Sequence, residues 1–192
     1  LFLRLPAIES VKFRSAPGAI GSDDDDDADT TTVFTNRDGS LRDDRPALLV
    51  TSTSHTPDED LDVLLRALEL YELEAIKAAS NDDGDDSTTT TRDESNSRRR
   101  RRLPRVVVLV TGKGAGKDAF ERSVDRLERR GTLGTHVCVR TAWLDLEDYP
   151  RLLGASDVGV SLHESTSGFD LPMKVVDMFG CDLPVLALDF ES

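Results

Sequence analysis

The sequence predicts a doubly wound α/β domain built on a parallel sheet. Three observations predict it. Five short, mainly apolar runs recur along the chain: Ala47–Val50, Val106–Val110, Val137–Val139, Val158–Leu162 and Val185–Leu188. Most of the stretches between them carry helix signals, either apolar residues at helical spacing or helix-start chemistry. The run Val106–Val110 is apolar at every position, as expected of a strand covered by helices on both faces. Strand and helix alternating through short links give a Rossmann-like sheet, which takes ligands beyond the carboxyl ends of its strands.

The elements follow in order. Residues 1–46 read as an irregular, acidic lead-in. Leu1–Leu5 fits the end of a helix. Pro17 to Thr32 is rich in Asp, Thr and Gly, has little to bury and is predicted to be disordered. Order is expected from about Pro46. After the first strand, Thr56 suits an N-cap, Pro57 the first helical position, and Glu59 completes a capping box. Leu61, Leu64, Leu65, Leu68 and Tyr71 then form one apolar stripe, and that helix should end between Lys77 and Ser80. Residues 81–102, with Thr88–Thr91 and Arg98–Arg102, are a low-complexity insertion predicted as a disordered surface loop. The second strand, a glycine turn and a helix over Lys117–Arg130 come next. The third strand, a helix over Glu147–Leu153, the fourth strand, a helix over Pro172–Phe179 and the fifth strand complete the pattern. The α/β domain thus spans 47–192, with the insertion at 81–102, and is expected to be incomplete at its C-terminal end.

Bulk composition narrows the function. The 192 residues suffice for one domain with a real core. The formal net charge of −13 argues against general nucleic-acid binding. Much of the acidity lies in Asp23–Asp27 and Asp82–Asp86, and the arginine run reads as a solvated insertion. Cys138 and Cys181 stand in apolar surroundings and read as buried thiols in a reducing compartment. No stretch approaches the roughly 18 apolar residues of a membrane span, and no signal peptide is visible. A first residue of Leu, not Met, suggests a piece of a longer protein.

Four loops carry candidate chemistry. In Ser165–Asp177, a polar loop containing Ser165, Ser167, Gly168, Asp170 and Leu171 enters a helix that opens at Pro172. Free N–H groups at such a helix start favour an anion. Lys174 adds a positive charge, and Asp177, three residues on, shares its face. This set suits a diphosphate flanked by a ribose; the alternative is a surface ion pair between Lys174 and Asp177. The second loop, Thr111–Lys117, tempts toward a phosphate-binding P-loop. That motif needs four residues between its first Gly and its Gly-Lys, then Ser or Thr; here three separate Gly112 from Gly116, and Asp118 follows Lys117. Gly112 and Lys113 either let a ligand approach the backbone or form a plain strand-to-helix turn. In the third loop, Trp143 and Leu144 either shape a base pocket or supply a core anchor, the commoner role of such a Trp. In the fourth, His163 either meets a sugar or phosphate or pairs with neighbouring Glu164. No cluster has metal-ligand spacing, and no Ser/His/Asp arrangement is visible.

Pro172-x-Lys174-x-x-Asp177, followed by Leu183–Val185, resembles the donor-site signature of GT-B glycosyltransferases. The longer string Leu171–Cys181 is more particular, as are Trp143–Leu144 with Glu147–Pro150, Thr111–Gly114, and Ser52–Ser54 with Thr56–Asp60. Together they resemble the chitobiosyldiphosphodolichol beta-mannosyltransferases, over roughly residues 46–190. The resemblance implies the C-terminal, donor-binding half of a GT-B enzyme on the cytosolic face of the endoplasmic reticulum membrane, its anchor not in this chain. It implies transfer of mannose from GDP-mannose to dolichol-linked chitobiose, with inversion, to give a β1,4 bond in N-glycan precursor assembly. No cofactor is implied. Expected partners are GDP-mannose, the dolichol-linked chitobiose acceptor, an N-terminal domain of the same chain and other dolichol-pathway mannosyltransferases.

Carried onto this sequence, the resemblance gives Asp177 the ribose. Lys174 and Ser165–Leu171 take the diphosphate and part of the mannose, with Asp170 on a sugar hydroxyl. Gly112, Lys113, Trp143 and Leu144 line the nucleotide pocket. No residue is assigned as general base, and the chain alone is expected to be inactive. Relatives often carry Trp in place of His55, Thr or Ser near Glu164, and Glu in place of Asp177. The alternatives are an NTP-hydrolysing module using Gly112–Lys117 and a non-catalytic fragment.

Overall fold

A computed structural model of the chain describes residues 5–14, 32–80, 103–164 and 172–189. The acidic run Asp23–Asp27, the insertion 81–102 and the loop 165–171 lie outside these. The elements are α1 (Pro6–Glu9), β1 (Ala47–Ser52), α2 (Leu61–Ser80), β2 (Val106–Thr111), α3 (Lys117–Arg130), β3 (Val137–Ala142), α4 (Asp148–Ala155), β4 (Val158–Ser161), α5 (Met173–Gly180) and β5 (Val185–Ala187). The strands pair in parallel in the order β3-β2-β1-β4-β5. The fold is the doubly wound, Rossmann-like sheet that the sequence predicts, and the strand order reverses between β1 and β4.

Period-two alternation in the strands divides the core into two layers. Leu48, Val50, Val107, Leu109 and Cys138 face one side, where Ile8, Leu152, Leu153 and Met178 cover them. Val106, Val108, Val110, Val137 and Val139 face the other, against Leu64, Leu65 and Leu68 of α2 and Phe120 and Val124 of α3. Every residue of β2 is buried, which explains its uninterrupted apolar run.

Two polar devices fix where strands of this frame begin. Arg45 grips Asp157 through two hydrogen bonds of 2.8 and 2.7 Å, and the Leu48 N–H donates to the same carboxylate at 2.7 Å. Arg45 holds the Asp157 carboxyl below the usual carboxylate range. Glu72 of α2, 1% exposed, accepts the N–H groups of Thr135, His136 and Val137 at 2.7, 2.9 and 2.7 Å. That satisfies a buried charge and sets where β3 begins.

Three expectations are corrected. Packing begins before Pro46, because Ile8, Val11 and Phe34 join the core; scattered apolar residues in a polar lead-in give no periodicity to read. The helix start is also displaced. Residues Pro57–Asp58 form a turn, the Glu59 N–H bonds the Thr56 carbonyl, and α2 begins at Leu61 with Asp60 accepting the Asp62 N–H at 3.0 Å. Glu59 is drawn into an antiparallel bridge with His163, a long-range pairing that overrides the local capping box. Cys138 is a buried thiol as expected, but Cys181 is only half-buried.

Candidate functional site

The loops leaving β1, β2 and β3 meet along the carboxyl ends of the sheet. After β1 the chain turns sharply at His55, a non-glycine residue at φ 51°. The turn is held by the His55 N–H on the Thr53 hydroxyl, 2.8 Å, and by a 2.9 Å bond between the Ser54 and Thr56 hydroxyls. The His55 imidazole is buried against Phe120, and burial, with Lys117 nearby, holds it below the usual imidazole value.

The glycines after β2 are explained by this neighbour. Gly112 sits at φ 134°, and a Cβ there would lie 1.8 Å from the Thr53 carbonyl oxygen. A Cβ on Gly114 would lie 1.7 Å from the Ser54 carbonyl oxygen. The two loops therefore lie backbone against backbone, a contact only glycine permits. This close contact accounts for both glycines. Lys117 turns to Glu121, 3.6 Å away, in the first turn of α3.

The loop after β3 departs from the commoner expectation for its tryptophan. Trp143 is not a core anchor: it is 57% exposed, and the Lys113 ammonium lies 3.8 Å from its ring centre. The core layers are already filled by β-branched and leucine side chains, so the indole is left on the rim. Beneath it, the Tyr149 hydroxyl meets Ser52 Oγ at 2.7 Å, and the Thr111 hydroxyl donates to Ser52 Oγ at 3.3 Å. Burial pushes the Tyr149 hydroxyl up, Ser52 opposes it, and Asp177 adds to it.

Lys174, in the first turn of α5, closes the site. Its ammonium donates to the Ser52 carbonyl at 2.7 Å and forms an ion pair with Glu59. The Lys174 side chain is 16% exposed and that of Glu59 4%. Burial pulls the Lys174 ammonium down to about 8, with Asp58 pulling back up. The alternative of a surface pair between Lys174 and Asp177 is thus replaced by an inward pair with Glu59, while Asp177 stays exposed one turn on. His163 does not pair with Glu164 either. Its Nδ1 lies 3.5 Å from Asp58, and the Glu164 N–H donates to the Asp58 carbonyl at 3.1 Å. The Thr56 hydroxyl, first, and then His163 and Lys174 hold the Asp58 carboxyl below its ordinary value.

These loops enclose a cleft of about 530 Å³, lined by Ser52–Ser54, Thr111–Lys113, Trp143–Leu146, Tyr149 and Lys174. That is the size of a small-molecule site. Among the predicted site residues, Gly112, Lys113, Trp143, Leu144 and Lys174 come together here. His163 and Asp177 do not line it, and Ser165, Ser167, Gly168, Asp170 and Leu171 lie outside the described residues. Glu59 and Tyr149 were not singled out as site residues from the sequence. Each gains its role from a partner distant in the chain, and Glu59 carried a stronger local signal as a cap. Among the described residues no acidic, His or Cys group could hold a metal ion, and no helix is long and apolar enough to cross a membrane.

No family model matches the sequence. The chain is 44% identical over 161 residues to the UDP-glycosyltransferase TURAN of Arabidopsis thaliana, a match that covers 84% of this chain and 31% of that protein. It is 44% identical over 165 residues to the chitobiosyldiphosphodolichol beta-mannosyltransferase of Mus musculus, covering 83% of this chain and 29% of that one. With the Homo sapiens protein of the same name it shares 41% over 197 residues, 100% of this chain and 35% of that one. The chain spans about a third of the length of the curated relatives it matches. Over that third, its sequence is similar to that of chitobiosyldiphosphodolichol beta-mannosyltransferases.

Proposed function

We propose that the chain is the donor-binding portion of a GT-B mannosyltransferase. The whole enzyme would transfer mannose from GDP-mannose to dolichol-linked chitobiose, with inversion, to form a β1,4 bond at the cytosolic face of the endoplasmic reticulum membrane. The observation that carries the reading is the cleft itself. Loops after three adjacent strands meet the first turn of α5 there, and Lys174 presents the less exposed of the two ammonium groups among its lining residues.

The chemistry divides along the cleft. A donor diphosphate would lie between the Ser52–Ser54 loop and Lys174, where hydroxyls, N–H groups and an ammonium answer its charge. The base would lie toward Trp143 and Leu144, against the Gly112–Lys113 backbone. Trp143 offers an open ring on which a purine stacks. Asp177, exposed and close enough to Tyr149 to influence its hydroxyl, is the proposed ribose partner. Ser165, Ser167, Gly168, Asp170, Leu171 and His163 belong to the proposed sugar and phosphate side of the site. Hydrolysis of a nucleoside triphosphate is disfavoured by the packing of Gly112 and Gly114 on the first loop, which fills the space a P-loop gives to phosphates.

Isothermal titration of the 192-residue chain with GDP, GDP-mannose and UDP-N-acetylglucosamine tests the reading. The expected result is binding of both guanine nucleotides, weaker or absent binding of the uridine nucleotide, and a loss of at least tenfold in Asp177→Asn and Lys174→Ala, the cost of one charge-assisted bond. Equal affinity for all three, or unchanged affinity in both variants, would reject it.

A further inference from the structure

The half-buried ammonium of Lys174 does not stand free in the cleft. Glu59, from the loop between β1 and α2, reaches it with one carboxylate oxygen, while the other, Oε2, is buried with no hydrogen-bond partner. A carboxylate so placed is costly unless its charge is used. Its backbone is fixed as well, because residue 59 bridges His163 and the Glu164 N–H bonds the Asp58 carbonyl. The ends of β1 and β4, on either side of the point where the strand order reverses, are thereby tied together around this one pair.

We infer that Glu59 is the positioning residue of this site: it fixes the Lys174 ammonium at the carboxyl end of β1 and keeps it charged in the ligand-free cleft. The inference rests on Lys174 being the diphosphate-binding cation proposed above, but the pair itself is tested without ligand. The Ser52 carbonyl gives the ammonium its second contact and its direction. A lysine this buried leans toward its neutral form, which has little attraction for a phosphate. Glu59 opposes that by direct contact. The other titratable groups around the pair are Asp58 on the same loop, His163 bonded to Asp58, Tyr149 on α4, and Asp177 on α5. Asp58 supports the ammonium's charge from a distance, but Glu59 is the carboxylate ion-paired with it. An arriving diphosphate takes over part of that neutralising role, so Glu59 acts through Lys174 and needs no contact of its own with the donor.

The test is an NMR titration of the full 192-residue chain with lysine and glutamate side chains isotopically labelled. In the unmodified chain the Lys174 side chain should titrate near 8, the midpoint burial gives it, and the Glu59 carboxyl carbon should show an inflection at that same pH. In Glu59→Gln the Lys174 midpoint should fall by about one pH unit or more, and in Glu59→Asp by less. GDP, titrated in parallel, should lose affinity about tenfold per pH unit above the Lys174 midpoint, with the decline beginning correspondingly lower in Glu59→Gln. A purely structural Glu59 would lower thermal stability but leave the Lys174 midpoint unmoved, and that overturns the inference. Should Glu59→Gln fail to fold, a missing Glu59 inflection in the unmodified chain overturns it as well. Absence of GDP binding with the coupled titration intact would reject the donor-site reading and leave the Glu59–Lys174 relation standing.

Discussion

The Lys113 ammonium lies over the Trp143 ring, 3.8 Å from its centre, at the mouth of the cleft. A half-exposed indole held by a cation is a stacking platform with one face already occupied. Trp143 is also the only tryptophan in the chain, so its fluorescence reports on this spot alone. GDP should quench that fluorescence saturably. Trp143→Ala should weaken GDP binding roughly ten- to a hundredfold, the usual range for loss of a base–aromatic stack. Because the ring is on the surface, stability should change by less than about 0.5 kcal/mol. Lys113→Ala should weaken binding less. An unquenched signal at saturating GDP contradicts the base pocket.

Gly112→Ala and Gly114→Ala should each destabilise the chain by about 1–3 kcal/mol or more, because each Cβ drives into a carbonyl of the neighbouring loop. Both should also reduce GDP affinity by shifting one wall of the cleft. Gly154→Ala is the control: its Cβ meets nothing within 4 Å, and it lies in α4. There the change should be neutral or stabilising by up to about 1 kcal/mol. Urea denaturation of the three variants gives the comparison, and equal behaviour of all three would show that the loops do not need their close contact.

Glu72 should be indispensable to stability without touching the site. Glu72→Ala leaves three N–H groups without their acceptor, that of Val137 buried and those of Thr135 and His136 partly so, and should cost about 3 kcal/mol. Glu72→Gln keeps one acceptor oxygen and should cost less, although its NH2 group then opposes at least one of the N–H donors. Amide exchange at Thr135, His136 and Val137 should accelerate in both. A stability change within error in Glu72→Ala would remove this residue from the frame.

Acid should weaken the Arg45–Asp157 tie. The folded Asp157 carboxyl is held below its unfolded value, chiefly by Arg45, so its contribution is complete above the unfolded value of about 3.9 and is lost as pH falls through the lower folded value. Asp157→Asn should cost about 2–3 kcal/mol at pH 7, the worth of charge-assisted bonds. That deficit should shrink as pH falls below about 3.9. Urea midpoints of both chains between neutral and acid pH measure it; a constant deficit would mean that the carboxylate charge is not what holds Arg45.

Most of the frame was legible before any coordinates. Val106–Val110 announced a buried strand because burial on both faces leaves no polar position, and the helix over Lys117–Arg130 followed the glycine turn that precedes it. Lys174 and Trp143 could be named as site residues because loops at strand carboxyl ends face the ligand side of any such sheet. Less legible were the contacts that join distant segments. Glu59 looked like a helix cap, since sequence displays neighbours along the chain and not across it. The glycines after β2 left a ligand's approach and a plain turn equally open, and their close packing on Thr53 and Ser54 could not be read from the chain.

The sequence by itself determined the alternation of strands and helices, the two-faced burial of the sheet and the end of it that carries the loops, because periodicity and turn chemistry are local properties. Only the tertiary structure decided which charges meet: Lys174 with Glu59 and not Asp177, His163 with Asp58 and not Glu164, and Trp143 with Lys113 on the rim and not the core. Electrostatic pairing acts through space, and the distances that govern it exist only after β1 and β4 have been brought side by side.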